Sequence, residues 1–405
     1  VTAVPHAGVA RGIEPRLIVD RVSSGPLDLT AERELGTYAC CHTSQLIDAL
    51  ADANLRGRGG AGFPSHIKWR AVASAGSAVV VANGEEGEPA SFKDRWLMLN
   101  RPHSILDGLL LAAQTCGASR AIVYVSDEQA AASMTAAIAE IRQSELVPPD
   151  LRLEVVKVQS SYVAGEETAA CRAIDGGPAL PTSKPPRPCD SGVGGLPTLV
   201  SNVETLVHAA WIARHGAAAY RQHGTSESPG TTLITLGGDC ARPGVYEVEY
   251  GMTLADAFSE LGGGISGEPK ALLVGGWFGG ILPTNALALP ITFESIREFG
   301  SGLGCGAFTV LGEASDPVAV VSGIARWYSR ESAGQCGICV KGTQAIASAL
   351  EELSTGANAP QTLISLRRWG TTLRGRGACA LLDGAATLAR TVAENLMQSQ
   401  MPRMR

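Results

Sequence analysis

Residues 57–64 read Gly57-Arg58-Gly59-Gly60-Ala61-Gly62-Phe63-Pro64, with Lys68 and Trp69 shortly after. Glycines at this density leave main-chain amides uncovered and permit positive φ, so a bulky ligand can lie directly on the backbone. Arg58 and Lys68 bracket the loop with positive charge, and amides turned into one concavity attract anions. Phosphate is the expected guest, although the run is neither a P-loop nor a spaced-glycine dinucleotide fingerprint. By itself such a cluster equally describes a tight surface turn. Two acidic stretches are comparable candidates: Asn83-Gly84-Glu85-Glu86-Gly87-Glu88-Pro89 and Tyr162-Val163-Ala164-Gly165-Glu166-Glu167-Thr168. Taken singly, Glu86 and Glu167 read as solvated turn residues or as charges that favour a helix N-terminus; two clusters at one site read as function. In Ser201-Asn202-Val203-Glu204-Thr205, Asn202 is placed as an N-cap, and the amides of that helix start offer a second anion site or plain capping. Cys336-Gly337-Ile338-Cys339, with Cys379 downstream, brings thiolates together. A redox disulfide is the alternative, but the strand-helix context of a thioredoxin-like motif is missing. Zinc wants four ligands and no histidine lies nearby, so iron and sulfur fit better.

The elements that must position these groups follow from periodicity. Ala78–Ala82, Ala121–Val125 and Leu151–Val158 read as strands, with helical spacing over Ser104–Cys116 and Glu128–Arg142, which predicts a parallel sheet covered by helices. Ligands of such sheets sit beyond the carboxyl ends of the strands, where the two acidic stretches fall. The proline-rich Gly176–Pro197, with Lys184 and Arg187, suits a lid or clamp. Short strands at Thr231–Leu236, Gly244–Val248 and Ala271–Val274 around one helix, Thr253–Leu261, predict a small α+β unit, and helices at Pro317–Arg330, Gly342–Leu353, Ala359–Thr372 and Cys379–Met397 predict a bundle. The expected division is an N-terminal arm (1–49), an α/β domain (50–228), the α+β unit (229–315) and the helical bundle (316–405). The chain has 405 residues, 45% hydrophobic and 18% charged, with a net charge of −6 and ten cysteines. It shows no basic stripe for nucleic acid, no apolar run of membrane-spanning length and no secretory pattern at its start, so a cytoplasmic protein that is not membrane-spanning is expected. Cys116, Cys171, Cys189 and Cys240 read as small core residues, and the Cys40-Cys41 pair has no ligand spacing around it.

Jointly the motifs are specific. GRGGAGFPSHIKW, NGEEGEPASFKDR, YVAGEETAA, KPPRP, SNVET, ESAGQCGIC and GACALLDGAA, in this order, closely resemble the flavin- and NADH-binding subunit of respiratory complex I and its relatives in NAD-linked hydrogenases and formate dehydrogenases. The resemblance spans residues 50 to 395. It implies a Rossmann-like FMN-binding α/β domain, a ubiquitin-like SLBB α+β domain and a C-terminal four-helix bundle with a 4Fe-4S cluster. FMN would be bound by Gly57, Arg58, Gly59, Gly60, Lys68, Asn83, Glu85, Gly165, Glu166, Glu167, Asn202 and Thr205, with Phe63, Tyr162 and Lys184 among the cofactor-binding positions. Glu85 and Glu88 would shape the site near the flavin ring and the nicotinamide, and Glu167 would repel the product's charge or order the ribose; Glu88 and Glu167 are the expected catalytic residues.

Two departures alter those expectations. Ala333 stands where the family's first cluster cysteine belongs. Cys336, Cys339 and Cys379 would then hold a three-iron cluster, a four-iron cluster completed by Ser332, Glu331 or Cys305, or no cluster. Of the aromatic residues that stack NADH's adenine, Phe63 remains, while Ala71 and Arg187 replace others; each lost ring removes on the order of 1 kcal/mol. Arg187 can instead stack on adenine or pair with the 2′-phosphate of NADPH. The leading expectation is an FMN-dependent oxidoreductase passing electrons between NAD(P)H and a ferredoxin or another iron-sulfur subunit. The alternatives are an FMN and iron-sulfur module between proteins that does not use nicotinamide, and a non-catalytic scaffold.

Overall fold

The structure, a computed structural model, describes residues 6–19, 26–39, 45–355 and 359–400. Cys40 and Cys41 lie outside them. The first strand, β1 (His6–Val9), joins a sheet made much later in the chain. The next four, β2 (Ala78–Asn83), β3 (Ala118–Val125), β4 (Arg152–Lys157) and β5 (Thr198–Asn202), form a parallel sheet in the order β4-β3-β2-β5. Both faces are covered, which is why β2 and β3 read as nearly continuous apolar runs. Val80, Ala82, Ala121 and Val123 face a core shared with the helices Pro102–Cys116, Glu128–Gln143 and Val203–Tyr220. Val79, Val81, Ile122 and Tyr124 face the other way, against Ala170 and Cys171 of the helix Glu167–Ile174.

The remaining strands, β6 (Thr231–Gly238), β7 (Gly244–Glu249), β8 (Ala271–Val274), β9 (Ile281–Leu282) and β10 (Ala307–Leu311), complete a mixed sheet in the order β1-β7-β6-β10-β8-β9. The N-terminal segment, expected as an arm, supplies an edge strand of this sheet and then crosses to the helices of the first. The carboxylate of Glu247 accepts from the backbone N–H groups of Arg16, Leu17 and Ile18 at 2.8–3.2 Å, and the Arg16 guanidinium lies 4.0 Å over the Trp211 ring.

Four C-terminal helices, Pro317–Arg330, Gly337–Ser354, Ala359–Thr372 and Leu381–Gln400, pack around Ile324, Tyr328, Ile346, Leu350, Leu366 and Leu382. The second begins five residues before the expected Gly342, so Cys339 lies in its first turn rather than in the preceding loop. Cys379 lies two residues before the last helix rather than opening it. Among the described residues no helix is long and apolar enough to cross a membrane.

Candidate functional site

β2, β3, β4 and β5 run parallel, and Asn83 pairs in register with both Tyr124 and Asn202. The segments leaving their carboxyl ends therefore open at one edge. There the glycine loop, the two acidic stretches, Lys184, Arg187 and the helix start at Asn202 line a cleft of about 520 Å³. Gly57, Arg58, Gly59, Gly60, Phe63, Lys68, Asn83, Glu85, Glu88, Tyr162, Gly165, Glu166, Glu167, Lys184, Asn202 and Thr205 all contribute to this one lining, and Gly275, Phe278, Gly304 and Cys305 close it from the second sheet.

The loop is pinned by its own backbone. The Arg58 amide donates to Thr205 Oγ1 at 2.8 Å, and the Gly57 amide to the Phe63 carbonyl at 2.9 Å. Gly62 sits at φ +61°, and a Cβ there would come within 2.7 Å of the Phe293 ring. A Cβ on Gly59, by contrast, would meet Asn202 at an ordinary 3.4 Å. Gly62 is thus required by the fold, whereas Gly59 keeps the loop surface bare.

The two cations expected to charge the loop are both partnered. The Arg58 side chain turns into the protein, 4% exposed, where it donates to the Tyr220 hydroxyl at 2.9 Å and lies 3.7 Å from Glu204. Only its main chain is offered to the cleft. Lys68 pairs with Glu167 at 2.7 Å, and Lys184 spans Glu166 at 2.6 Å and Glu167 at 3.1 Å. Glu166 also caps its helix, accepting from the amides of Thr168 and Ala169. Glu86 has the structural role open to it: its carboxylate accepts from Ser91 Oγ, the amides of Asp94 and Arg95, and the Arg95 guanidinium.

Glu85 and Glu88 differ from these. Burial pushes the carboxyl of Glu85 up; one oxygen accepts from Ser126 Oγ, and the other is buried with no hydrogen-bond partner among the described residues. Glu88 is pushed up to about 7, chiefly by burial, although its Oε1 accepts from the amides of Trp277 at 3.1 Å and Ala90 at 3.3 Å. At neutral pH it can hold or release a proton.

Beneath the loop lies a network that motif spacing alone does not reveal. Lys93 Nζ lies between Asp94 at 2.7 Å and Glu204 at 2.8 Å, all three buried, and Asn202 Nδ2 donates to Asp94 Oδ2 at 2.7 Å. Burial opposes the carboxylate of Glu204, but Lys93, His208 and Arg58 more than offset it and hold its pKa well below the usual range. The signal in the sequence is the Lys93-Asp94 pair just after the first acidic stretch: charges on a helix face that also carries Trp96 and Leu97 must be paired inside.

A bare loop beside a helix start, an unpartnered buried carboxylate oxygen and a cleft of this size fit a flat, phosphate-bearing ligand such as FMN. Cys336, Cys339 and Cys379 line a second hollow of about 10 Å³ with Ser332, Ala333 and Gly334, and Cys379 lines the large cleft as well. The hollow is tight, and among the described residues no group of three or more His, Cys, Asp or Glu side chains is spaced to hold a metal ion. Its donors have the chemistry an iron-sulfur cluster needs, but they must spread to admit one. Cys305, a suggested fourth ligand, lies instead in the large cleft, its thiol 3.9 Å from the Gly275 carbonyl.

Known proteins place these features together. Residues 36–211 match the Nuo51 FMN-binding domain, and residues 319–399 match the NADH-ubiquinone oxidoreductase-F iron-sulfur binding region. An NADH-quinone oxidoreductase F subunit of Rhizobium meliloti is 33% identical over 367 residues, covering 87% of this chain and 86% of that protein. The corresponding F subunit of Mycobacterium tuberculosis is 34% identical over 361 residues, covering 84% and 80%. A crystal structure of NAD+-reducing NiFe-hydrogenase in the H2-reduced state superposes with a TM-score of 0.81 at 34% identity, covering 90% of this chain and 63% of that chain.

Proposed function

The chain belongs to the family of FMN- and iron-sulfur-binding F subunits of NADH-quinone oxidoreductases, and from that premise we propose that its cleft takes electrons from a nicotinamide nucleotide and delivers them through FMN to an iron-sulfur centre. It is an oxidoreductase of the diaphorase type. The observation that carries the site assignment is the convergence of the glycine loop, both acidic stretches and the Asn202 helix start on one cleft. FMN, when bound, accepts electrons in pairs and releases them singly, which side chains cannot do.

The chain's own residues do the rest. The bare amides of the Gly57–Gly60 backbone and the helix start at Asn202 and Thr205 hold the phosphate. Glu85 offers its unpartnered oxygen to a donor on the ligand. Glu88, which titrates at about 7 in the lining of the cleft, would take up or give up a proton near neutral pH. Glu167, held ionised by Lys68 and Lys184, disfavours neither neutral nicotinamide nor its ribose but repels further negative charge and orders the two lysines around the nucleotide. Cys336, Cys339 and Cys379 are the thiols that would hold an iron-sulfur cluster, and they would have to spread from their tight hollow to do so. The β6–β10 sheet is the SLBB domain, and the C-terminal helices are the bundle that carries the cluster. The acceptor is a ferredoxin or another iron-sulfur subunit in the cytoplasm.

An anaerobic visible spectrum before and after NADH, and then NADPH, tests this reading. A flavin band that bleaches with either nucleotide supports it and names the donor. A band that persists until dithionite is added leaves a module wired only between proteins, the reading favoured by the exposed Arg187 and Ala71 in place of stacking rings.

A further inference from the structure

We propose that Ser126 is a positioning residue of the flavin site: its hydroxyl occupies one carboxylate oxygen of Glu85 and so leaves the other, Oε1, as a fixed acceptor for a hydrogen-bond donor on FMN. The inference rests on the FMN part of the proposed function and adds a residue that stands behind the cleft lining and acts only through Glu85.

The fold builds this pair from adjacent strands. Ser126 is the first residue beyond β3, and Glu85 lies in the segment leaving β2, so both emerge side by side at the edge where the cleft opens. The Ser126 hydroxyl donates to Glu85 Oε2, and the Glu85 amide donates to Asn83 Oδ1 at 3.2 Å. Gly165 makes room for the side chain: a Cβ there would come within 3.2 Å of the Glu85 carbonyl oxygen and 3.5 Å of its Cγ. Glu85 lines the cleft at 7% exposure, and its Oε1 is buried with no hydrogen-bond partner among the described residues. A buried acceptor left bare is costly, and a donor on a bound ligand relieves that cost. The phosphate's amides lie at the glycine loop and beyond β5, whereas Ser126 follows β3 on the other side of β2, two strand spacings or about 10 Å away. The donors FMN carries away from its phosphate are the ring imide N–H and the ribityl hydroxyls.

The surroundings of Glu85 give the serine a second effect. Burial pushes the carboxyl up and Glu86 adds to the rise, while the Ser126 hydroxyl, the Ser161 amide and Arg95 favour the ionised form. The Tyr124 hydroxyl, on the strand that Ser126 follows, is spent on the Ala164 carbonyl at 3.1 Å. Among the described residues Ser126 is thus the side chain that hydrogen-bonds the carboxylate. Without its hydroxyl, burial is less opposed, and Glu85 takes up its proton at higher pH. A neutral carboxyl is the weaker acceptor.

The full chain, stripped of flavin, would be titrated with FMN by fluorescence across the range from acid to alkaline pH, as wild type, Ser126→Ala, Ser126→Thr and Glu85→Gln. FMN's own phosphate titrates in that range, and the Glu85→Gln profile carries its contribution alone. Glu85→Gln is expected to weaken FMN binding about tenfold at alkaline pH, where a charged acceptor has been replaced by a neutral one. Ser126→Ala is expected to move the Glu85-dependent part of the profile to higher pH, so that binding is several-fold weaker at lower pH and converges on wild type at the alkaline end. Ser126→Thr, which keeps the hydroxyl, is expected to follow wild type. In the flavin-free protein, an infrared titration of the carboxyl, read as the difference from Glu85→Gln, is expected to show the same upward shift in Ser126→Ala and to report the pair whether or not flavin binds. A constant offset between Ser126→Ala and wild type at every pH, a loss that Ser126→Thr does not rescue, or an unmoved infrared titration overturns the proposal. FMN bound by Glu85→Gln as tightly as by wild type overturns this inference and leaves the flavin reading standing. Folded wild type that binds no FMN overturns the flavin reading and this inference with it.

Discussion

Replacing Glu88 with Gln tests the electrostatics of the cleft in one step. Glu88 is 8% exposed, and its carboxyl titrates at about 7 against an ordinary 4.5. The sign follows from the raised value: the folded protein binds the proton more tightly than the unfolded chain. Glu88 therefore adds stability fully below about 4.5, and this is lost as pH rises through about 7. A shift of this size corresponds to about 3 kcal/mol between the two limits, at 1.36 kcal/mol per pKa unit. Of the backbone groups that favour its ionised form, Trp277, Ala90 and Phe278, the first two reach the same oxygen, Oε1. Glutamine presents an equivalent oxygen and keeps the bonds from Trp277 and Ala90 without the buried charge. The assay is urea unfolding of flavin-free wild type and Glu88→Gln from pH 5 to pH 8.5. The variant is expected to gain on wild type as pH rises, with most of the difference emerging between about pH 5 and 7 and little beyond about pH 8. Parallel pH profiles would refute the assignment of a neutral-range titration to this carboxyl. In the holoprotein, the same substitution is expected to flatten the pH dependence of flavin reduction around neutrality.

Gly59→Val is expected to weaken FMN binding at least tenfold in a fluorescence titration while leaving the unfolding midpoint of the flavin-free protein unchanged, because the site tolerates a Cβ and only the added branches reach the cleft; full FMN affinity would remove the loop from the ligand site. Gly62→Ala should instead destabilise the protein by about 1–3 kcal/mol in urea, since its Cβ meets the Phe293 ring at 2.7 Å at positive φ. Glu204→Gln leaves Lys93 and Arg58 buried with one carboxylate fewer, a change expected to cost about 3–5 kcal/mol by urea unfolding, and a loss below 1 kcal/mol would show that the network is dispensable. Glu167→Gln releases Lys68 and Lys184 toward the nucleotide, and the oxidised nucleotide should then inhibit at several-fold lower concentration in a product-inhibition assay.

What can be read from the chain, and what cannot, divides along the range of the interactions. β2 and β3 are legible because an apolar run buried on both faces is a local signal, and the Asn202 cap because its partner lies two residues away, at the Glu204 amide. β5 escapes a local reading: Thr198–Asn202 is short, half polar and follows the proline-rich segment, and only its pairing with β2 makes it a strand. β1 escapes for the same reason, since its four residues are ordered by Gly244–Glu247. The early start of the helix Gly337–Ser354 is hidden by Gly337, a poor helix former, at its first position. At the site, residue types predict which groups gather but not their partners. The inward turn of Arg58 depends on Tyr220 and Glu204, and the raised pKa of Glu88 on burial against Trp277. Both are contacts across more than a hundred positions.

Those partners change where the phosphate must find its positive charge. Arg58 is turned away beside Glu204, Lys93 is shared by Asp94 and Glu204, Lys68 is held by Glu167, and Lys184 by Glu166 and Glu167. Each of these cations near the floor of the cleft has a carboxylate of its own within ion-pair distance, so what remains there for an anion is the main chain, the bare amides of the loop and the start of the helix Val203–Tyr220, with the exposed Arg187 left elsewhere in the lining. Dipoles of this kind act over a turn or so and close at hand, while a free lysine draws an anion through solvent and is screened once the Debye length falls from about 10 Å toward 3 Å. FMN affinity should therefore change by less than about threefold between 0.05 and 0.5 M potassium chloride, because the amides meet the phosphate out of water and salt barely reaches them. A tenfold or greater loss over that range would show that Lys68 leaves Glu167 for the phosphate, and that the ion pair seen across the cleft belongs to the protein only before the flavin binds.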